Sequence, residues 1–371
     1  MSRIHARFLA NRSGEKRPSK PVLAQKVRTG GDMEKPMIKH GLMRWMRGVA
    51  GMVLAAGIAV GAARAEEPDK LVLQLDLGVR NVQFAGVLWA DAHGWFEEAG
   101  LDLEIRPLPK GYGDLAANVA AGEHTIGSIE GGLFLSGRAA GEPVVAIGTM
   151  FQASPLGLVS KVHHGVKTPA DLVGLKVAVH GDGHEALATV LETGDVDPAL
   201  VTVSEAEYGD GPLLRDEVDA KQAYYVDEFV RMRQAGHDVT VLRYKDFGHR
   251  AYSQVLFVSE TTLAENRDAL VRFLQVHHRG WQAALADPEA AAKLVVERYE
   301  PQLDLAYQVE SLKQIGELVW AEDKRTGAAS PATWTEAAER FRSTHPDAEL
   351  EPMAAWTDFT LVEEAFADGE L

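Results

Sequence analysis

Residues 71–107 read LVLQLDLGVRNVQFAGVLWADAHGWFEEAGLDLEIRP. Leu71 to Leu75 is an apolar run of strand length, broken by Gly78 and followed by a loop that carries Arg80, Asn81 and Gln83. From Ala85 to Ala99 the spacing becomes helical: Leu88, Ala92, Trp95, Phe96 and Ala99 share one face, and Asp91, Glu97 and Glu98 the other. Gly100 stands where a left-handed helix stop is expected, and Leu101 to Ile105 alternates as a second strand. The pattern predicts a β-loop-α-β unit whose helix buries one stripe on a sheet. In open α/β sheets ligands sit beyond the carboxyl ends of the strands, so the Gly78–Phe84 loop is the first candidate for a site. The competing reading makes it a plain connection.

Strand and helix patterns keep alternating downstream. Thr125–Ile129, Val144–Met150, Leu156–Ser160, Lys176–His180 and Val239–Tyr244 read as strands, separated by short helical patterns such as Leu133–Ala140 and Glu185–Leu191. Beyond Thr261 the pattern is helical to the end, with Phe273, Trp281, Trp334 and Trp356 on apolar faces. Alternation restarts near residue 160 and gives way to helices near 260. This predicts an α/β protein of two lobes: 66–160 as the first part of lobe 1, 161–257 as lobe 2, and 258–371 returning to lobe 1 with C-terminal helices. Mainly parallel sheets would flank a hinged cleft.

Upstream of the fold, Met37 to Ala65 has the form of a secretory signal peptide. Lys39, Arg44 and Arg47 form a basic start, Val49–Ala62 is apolar, and Ala63-Arg64-Ala65 is an A-x-A cleavage site. The apolar run of 14 residues is short of the roughly 20 that span a bilayer, so no stable membrane anchor is expected. Residues 1–36, polar and basic, are read as an upstream extension outside the fold, with translation starting at Met33 or Met37.

The first 65 residues hold 13 of the 38 basic and 3 of the 54 acidic residues, so the remaining 306 carry a formal charge of −26. Such a surface repels nucleic acid. The chain has no cysteine, which removes disulfides, thiolate metal sites, cysteine nucleophiles and a lipidated cysteine. The expected product is free in the periplasm.

Several segments resemble one family. Asn81-Val82-Gln83-Phe84-Ala85-Gly86 resembles its Asn-x-Gln-His-x-Gly motif, followed by a helix ending Gly94-Trp95-Phe96-Glu97-Glu98-Ala99-Gly100-Leu101. Gly122–Gly127 resembles the G-x-x-D-I-G segment, and Pro169–Lys176 the P-x-D-L-x-G-K opening of the second lobe. Val218-Asp219-Ala220, with Tyr224-Tyr225-Val226-Asp227-Glu228, resembles VDA…YxxNE, and Asp246-Phe247-Gly248, Gly280-Trp281, Trp320 and Trp334 also fit. The chain thus resembles, over residues 70–340, the NMT1/THI5-like periplasmic substrate-binding proteins of ABC importers, which have the type II periplasmic-binding-protein fold. Gly78-Val79-Arg80 replaces the family's Trp-x-Pro, and Phe84 replaces its histidine. The enzyme branch of the family needs that histidine and a cysteine-rich motif, so the resemblance implies a receptor and no catalysis.

It implies a small, flat heterocyclic guest of the thiamine-pyrimidine-precursor kind, no cofactor, and delivery by a monomer to an inner-membrane ABC permease and its ATPase. A sulfonate, nitrate or aromatic-acid receptor of the same fold is one alternative; a periplasmic enzyme with a cleft active site is another. Glu228 is a candidate acceptor for a ring amino group, although acidic residues also favour first helical turns. Tyr224 and Tyr225 alternate, so at most one faces a cleft. Asn81 and Gln83 offer polar contacts and Phe84 a stacking face; Asn81 as a turn residue and Phe84 as core are the competing readings. Ser128 and Glu130 precede Gly131-Gly132, where exposed N–H groups suit a ligand oxygen, or where the glycines serve only packing. Arg80, His180, Asp182 and His184 are weaker candidates. The His180–His184 segment matches no strong metal spacing and is read as a cleft-bordering loop without metal. His163-His164 is read as a solvated surface pair.

Overall fold

The computed structural model describes residues 67–109, 114–123, 125–180, 183–207 and 209–367. The predicted leader, the upstream extension and Asp182 lie outside them.

Ten strands follow in chain order: β1 (Asp69–Gln74), β2 (Leu101–Arg106), β3 (Ile126–Ile129), β4 (Val144–Phe151), β5 (Leu156–Lys161), β6 (Lys176–Val179), β7 (Thr202–Glu205), β8 (Ala220–Tyr224), β9 (Val239–Arg243) and β10 (Ser253–Ser259). They form two five-stranded sheets, ordered β2-β1-β3-β10-β4 and β7-β6-β8-β5-β9. Four strands of each sheet run one way. The fifth, β10 in lobe 1 and β5 in lobe 2, is inserted antiparallel between two of them. Each sheet is thus mainly parallel, as expected, and is made mixed by its one reversed strand. The physical reason is that the chain crosses between lobes on these two strands, and each enters its sheet against the grain.

The crossings also move the lobe limits. Leu156–Ser160, placed in lobe 1 by its position before residue 161, pairs with β8 and β9 of the second sheet. The return begins at Ser253, a few residues before 258. The two linkers are thus 152–155 and 248–252.

The opening unit folds in the predicted order, with β1 and β2 parallel in register from Asp69–Leu101 to Gln74–Arg106. Its single predicted helix is two, Ala85–Ala92 and Trp95–Glu98, because Gly94 adopts φ +73°, which breaks the α ladder. Gly100 has φ +72° and ends the unit as expected. The helical stripe, with Phe84, Leu88 and Phe96, packs against Phe273, Leu274 and Trp281 of the long helix Arg267–Ala286. Burying each Phe or Leu there contributes roughly 1.5–3 kcal/mol. On the other face of the first sheet, Phe134 and Phe257 pack with Trp334 and Trp356 from the C-terminal segment. Each sheet is thus covered on both faces; in lobe 2 the covering layers are smaller, built around Leu158, Leu187 and Val190 on one side and Val159, Leu213 and Met232 on the other. One C-terminal helix, Pro331–Thr344, reaches lobe 2, where Arg340 Nε lies 3.3 Å from Glu185 Oε1. Among the described residues no helix is long and apolar enough to cross a membrane.

Candidate functional site

The carboxyl ends of β1 and β3, the start of β10 and the end of β8 meet between the lobes. At the end of β1, the Gln74 amide donates to the carbonyls of Leu75 (3.0 Å) and Arg106 (3.1 Å), which fixes the direction in which the chain leaves the sheet. Asp76 comes next. Its Oδ2 accepts from Gln254 Nε2 at 3.3 Å, and its Oδ1 is shut off from solvent with no hydrogen-bond partner. The loop then turns at Asn81, whose extended backbone and side-chain oxygen cap the Val82–Phe84 turn by accepting from Gln83 N at 3.0 Å. Val82 N donates to Gln308 Oε1 on the helix Leu305–Val319. Asn81 therefore serves the turn. Phe84 is wholly buried in the lobe 1 core and offers no stacking face. Gln83 alone of the three reaches across, donating from Nε2 to Asp227 Oδ2 at 3.3 Å and leaving its buried Oε1 without a partner.

At the end of β3, Ser128 donates to Gln254 Oε1 at 2.6 Å. Glu130 precedes the helix Gly131–Ala139, and its Oε2 accepts from Ser253 Oγ at 2.5 Å and from Tyr224 OH of lobe 2 at 2.8 Å. The following glycine has a packing reason: a Cβ on Gly131 would stand 2.7 Å from the Tyr252 carbonyl oxygen.

In lobe 2 the tyrosine pair divides as strand alternation requires. Tyr224 turns its hydroxyl to Glu130, while Tyr225 points into the core beneath Arg243, with its own hydroxyl unpartnered. Residues Tyr225–Phe229 form a π-helical turn, a form met mostly at functional sites. The turn is clamped from lobe 1, with Tyr307 OH donating to Asp227 Oδ1 at 2.5 Å and Ser311 Oγ donating to the Val226 carbonyl. Glu228 Oε2 folds back to accept from Tyr224 N at 2.8 Å.

Burial governs the electrostatics. It raises Asp76 from 3.8 to about 7, opposed by the Gln254 amide and the residue's own backbone. It raises Glu228 to about 7, reinforced by the Asp227 charge. Asp227 is itself raised by burial, with Tyr307 pulling the other way. Tyr224 is driven well above 10 by burial and by the charges of Glu130 and Asp76, so it stays a neutral donor. Two cations lie nearby: Lys221, which donates to the Gln222 carbonyl, and Arg231, which is paired with Asp210.

The weaker candidates stand apart from this cluster. Arg80 lies 3.9 Å from Glu300 and against the Tyr299 ring. His180 donates its backbone N–H to Gln222 Oε1, and His184 is exposed beside Glu205. Among the described residues, the group that gathers metal-ligand atoms within 4.8 Å is instead His163, His164 and Asp216, on the surface of lobe 2, where Lys161 holds Asp216 at 2.6 Å. Asp76, Asp227, Ser253, Gln254 and Tyr307 were missed in the sequence. Asp76 had a signal: an acid just past a strand end, two residues before the loop singled out.

Comparison with known proteins agrees with this architecture. The chain is 27% identical over 267 residues to the riboflavin-binding protein RibY of Chloroflexus aurantiacus, covering 70% of this chain and 76% of that one. It is 24% identical over 225 residues to the formylaminopyrimidine-binding protein of Halalkalibacterium halodurans, covering 59% and 68%. A 4-amino-5-hydroxymethyl-2-methylpyrimidine phosphate synthase of Legionella pneumophila is 23% identical over 222 residues, covering 58% and 70%. The periplasmic aliphatic sulphonate-binding protein SsuA of Escherichia coli shares the fold, with a TM-score of 0.61, 15% identity, and coverage of 76% of this chain and 88% of that one. The NMT1/THI5-like family model matches residues 81–291, and the chain belongs to the NMT1/THI5-like family.

Proposed function

We propose that this protein is the periplasmic solute-binding component of an ABC importer, taking a small nitrogen heterocycle between its lobes and presenting it as a monomer to an inner-membrane permease and its ATPase. The carrying observation is the set of carboxylates around the bonds that join the lobes: Glu130 and Asp76 of lobe 1 lie beside Tyr224, and Asp227 and Glu228 sit in the turn that follows it. Carboxylates accept hydrogen bonds from ring N–H and amino groups and repel anions. Arg80, the cation the sequence offered to an anion, is paired with Glu300, and Arg231 with Asp210. The riboflavin- and formylaminopyrimidine-binding relatives support the same class of guest. A synthase is also among the relatives, but Phe84 stands at the family histidine and is buried, and the chain has no cysteine, so we read the cleft as a receptor site.

Lobe closure on the guest is the mechanism. The Glu130–Tyr224 and Gln83–Asp227 bonds already link the lobes, and a guest adds to them only in the closed form, shifting the population toward it. A thermal-shift screen of residues 66–371 with riboflavin, aminopyrimidines and thiamine against alkanesulfonates and nitrate tests this. A ligand at 100 times its Kd stabilises by about 2.7 kcal/mol, which is about 5 °C for a protein of this size. Heterocycles should give that shift; a shift with anions alone overturns the proposal.

A further inference from the structure

We infer that His163, His164 and Asp216, on the surface of lobe 2, form a binding site for one zinc ion, separate from the cleft between the lobes. One ligand atom from each of the three lies within 4.8 Å of the others. Around a tetrahedral zinc with bonds of about 2.0–2.1 Å, donor atoms stand about 3.3 Å apart, so a side-chain movement of about 1.5 Å or less closes the gap. Two imidazole nitrogens and a carboxylate oxygen are donors that zinc accepts, and a fourth position stays open to water.

The backbone brings the three together. At the end of β5 the turn Val162–His164, closed by Gly165 at φ +69°, sets the two imidazoles side by side with ring centroids 4.1 Å apart. Lys161, the last residue of β5, holds the neighbouring turn: its Nζ donates to the Leu214 carbonyl at 3.0 Å and to Asp216 Oδ1 at 2.6 Å. That bond keeps the Asp216 carboxyl below its ordinary range, so it is ionised, and it occupies one of the two oxygens. His164 supplies a second, independent sign. The sequence reads the histidines as a solvated pair, yet only His163 is exposed. His164 Nε2 is closed to solvent, makes no hydrogen bond, and stands 3.6 Å from Asp219 Oδ1. An enclosed polar atom without a hydrogen-bond partner is uncommon in a native protein, and an ion is one of the ordinary explanations.

The cluster lies at the far end of the second sheet from the guest. β5 runs from Leu156, paired with Tyr224 where the lobes meet, to Lys161, paired with Val239. At about 3.3–3.4 Å per residue, that run sets the cluster roughly 17 Å away. An ion there touches no guest; it fastens the end of β5 to the 214–216 turn.

The test is zinc binding to residues 66–371 without an affinity tag, read by competition with a chromophoric chelator at pH 7.5 and by thermal melting. The native protein should take up one equivalent with a micromolar or tighter Kd, and zinc at 100 times that Kd should raise the melting temperature by about 5 °C. His163→Ala, His164→Ala and Asp216→Asn should each weaken zinc about tenfold or more. His93→Ala, at an exposed histidine of lobe 1, should leave binding unchanged. Asparagine accepts the left-handed backbone at 216, where φ is +59°. Without zinc each variant should melt within about 2 °C of native, which separates loss of a ligand from loss of the fold. Histidine-ring NMR of the native protein asks the same question without a substitution: the rings of His163 and His164 should shift at one equivalent. A native protein that takes up no zinc, rings at 163 and 164 that do not shift, or uptake that survives in the His163→Ala/His164→Ala double variant, overturns the site and leaves the receptor reading intact.

Discussion

Lobe 1 and lobe 2 meet through carboxylates, and in each lobe one acid is fully engaged while the other is not. Glu130 accepts from Ser253 and Tyr224, and Asp227 accepts from Gln83 and Tyr307; both join elements of different lobes. Asp76 holds a single side-chain bond and has an enclosed empty oxygen. Glu228 is tied to the backbone of its own turn. Burial raises Asp76 and Glu228 to about 7. The engaged pair ties the lobes to each other, and the idle pair, with its raised carboxyls, lowers the stability of the folded protein at neutral pH.

The largest expected effect separates the two kinds of acid by truncation. Glu130→Ala leaves the Tyr224 and Ser253 hydroxyls only each other, 3.4 Å apart, so one of the two loses its acceptor in a largely buried place. At about 1–3 kcal/mol for the orphaned hydroxyl and about 1 kcal/mol for the second lost bond, the loss should reach about 2–4 kcal/mol in urea unfolding. Glu228→Gln at pH 8 should stay within about 1 kcal/mol of native or exceed it. Equal losses for the two variants would erase the distinction.

The pH dependence sharpens it. Asp76 and Glu228 bind protons more readily folded than unfolded, so they lower stability as pH climbs from about 4 to about 7. Buried His249 and His277 act in the opposite sense. Both are pushed down to about 3 by burial, so the stability of keeping them neutral is present above 6.5 and is lost as pH falls toward 3. In the native protein these trends oppose each other. The double variant Asp76→Asn/Glu228→Gln keeps only the histidine trend, and its melting temperature relative to native should rise steadily from pH 4.5 to 7.5. A constant offset across that range contradicts the shifted carboxyls.

The smallest effect compares neighbours. Tyr224→Phe removes a bond between lobes and should cost about 1–2 kcal/mol, whereas Tyr225→Phe deletes a hydroxyl that has no partner and should be neutral or stabilising by up to about 1 kcal/mol. Denaturation midpoints of the two variants decide it.

Much of the lobe architecture could be read locally. The opening β-loop-α-β unit, the Gly100 stop and the restart of alternation in lobe 2 rest on periodicity and turn chemistry, which act over a few residues. Tyr alternation likewise separated 224 from 225. The missing parts depend on distant pairings. Gln254 lies 178 residues from Asp76, and Tyr307 lies 80 from Asp227, so no local pattern brings them together. Phe84 began the core stripe, one of its two readings, because the turn capped by Asn81 rotates it inward. The helix break at Gly94 depended on one backbone dihedral.

The two strands on which the chain passes between lobes are mounted inside their sheets, β5 between β8 and β9 and β10 between β3 and β4. Mechanically this is a riveted joint. A load that swings one lobe is shared by ladders on both flanks of the mounted strand and would have to shear both, whereas a strand on the rim could be peeled away one bond at a time. In the proposed closure the swing would thereby be confined to the two short straps, 152–155 and 248–252. One strap is itself lashed down at its lobe 1 end, where Gln152 bonds to the backbones of Leu318, Glu322, Asp323 and Arg325. Under that proposal, repeated opening would flex these straps while both sheets ride through each cycle undistorted.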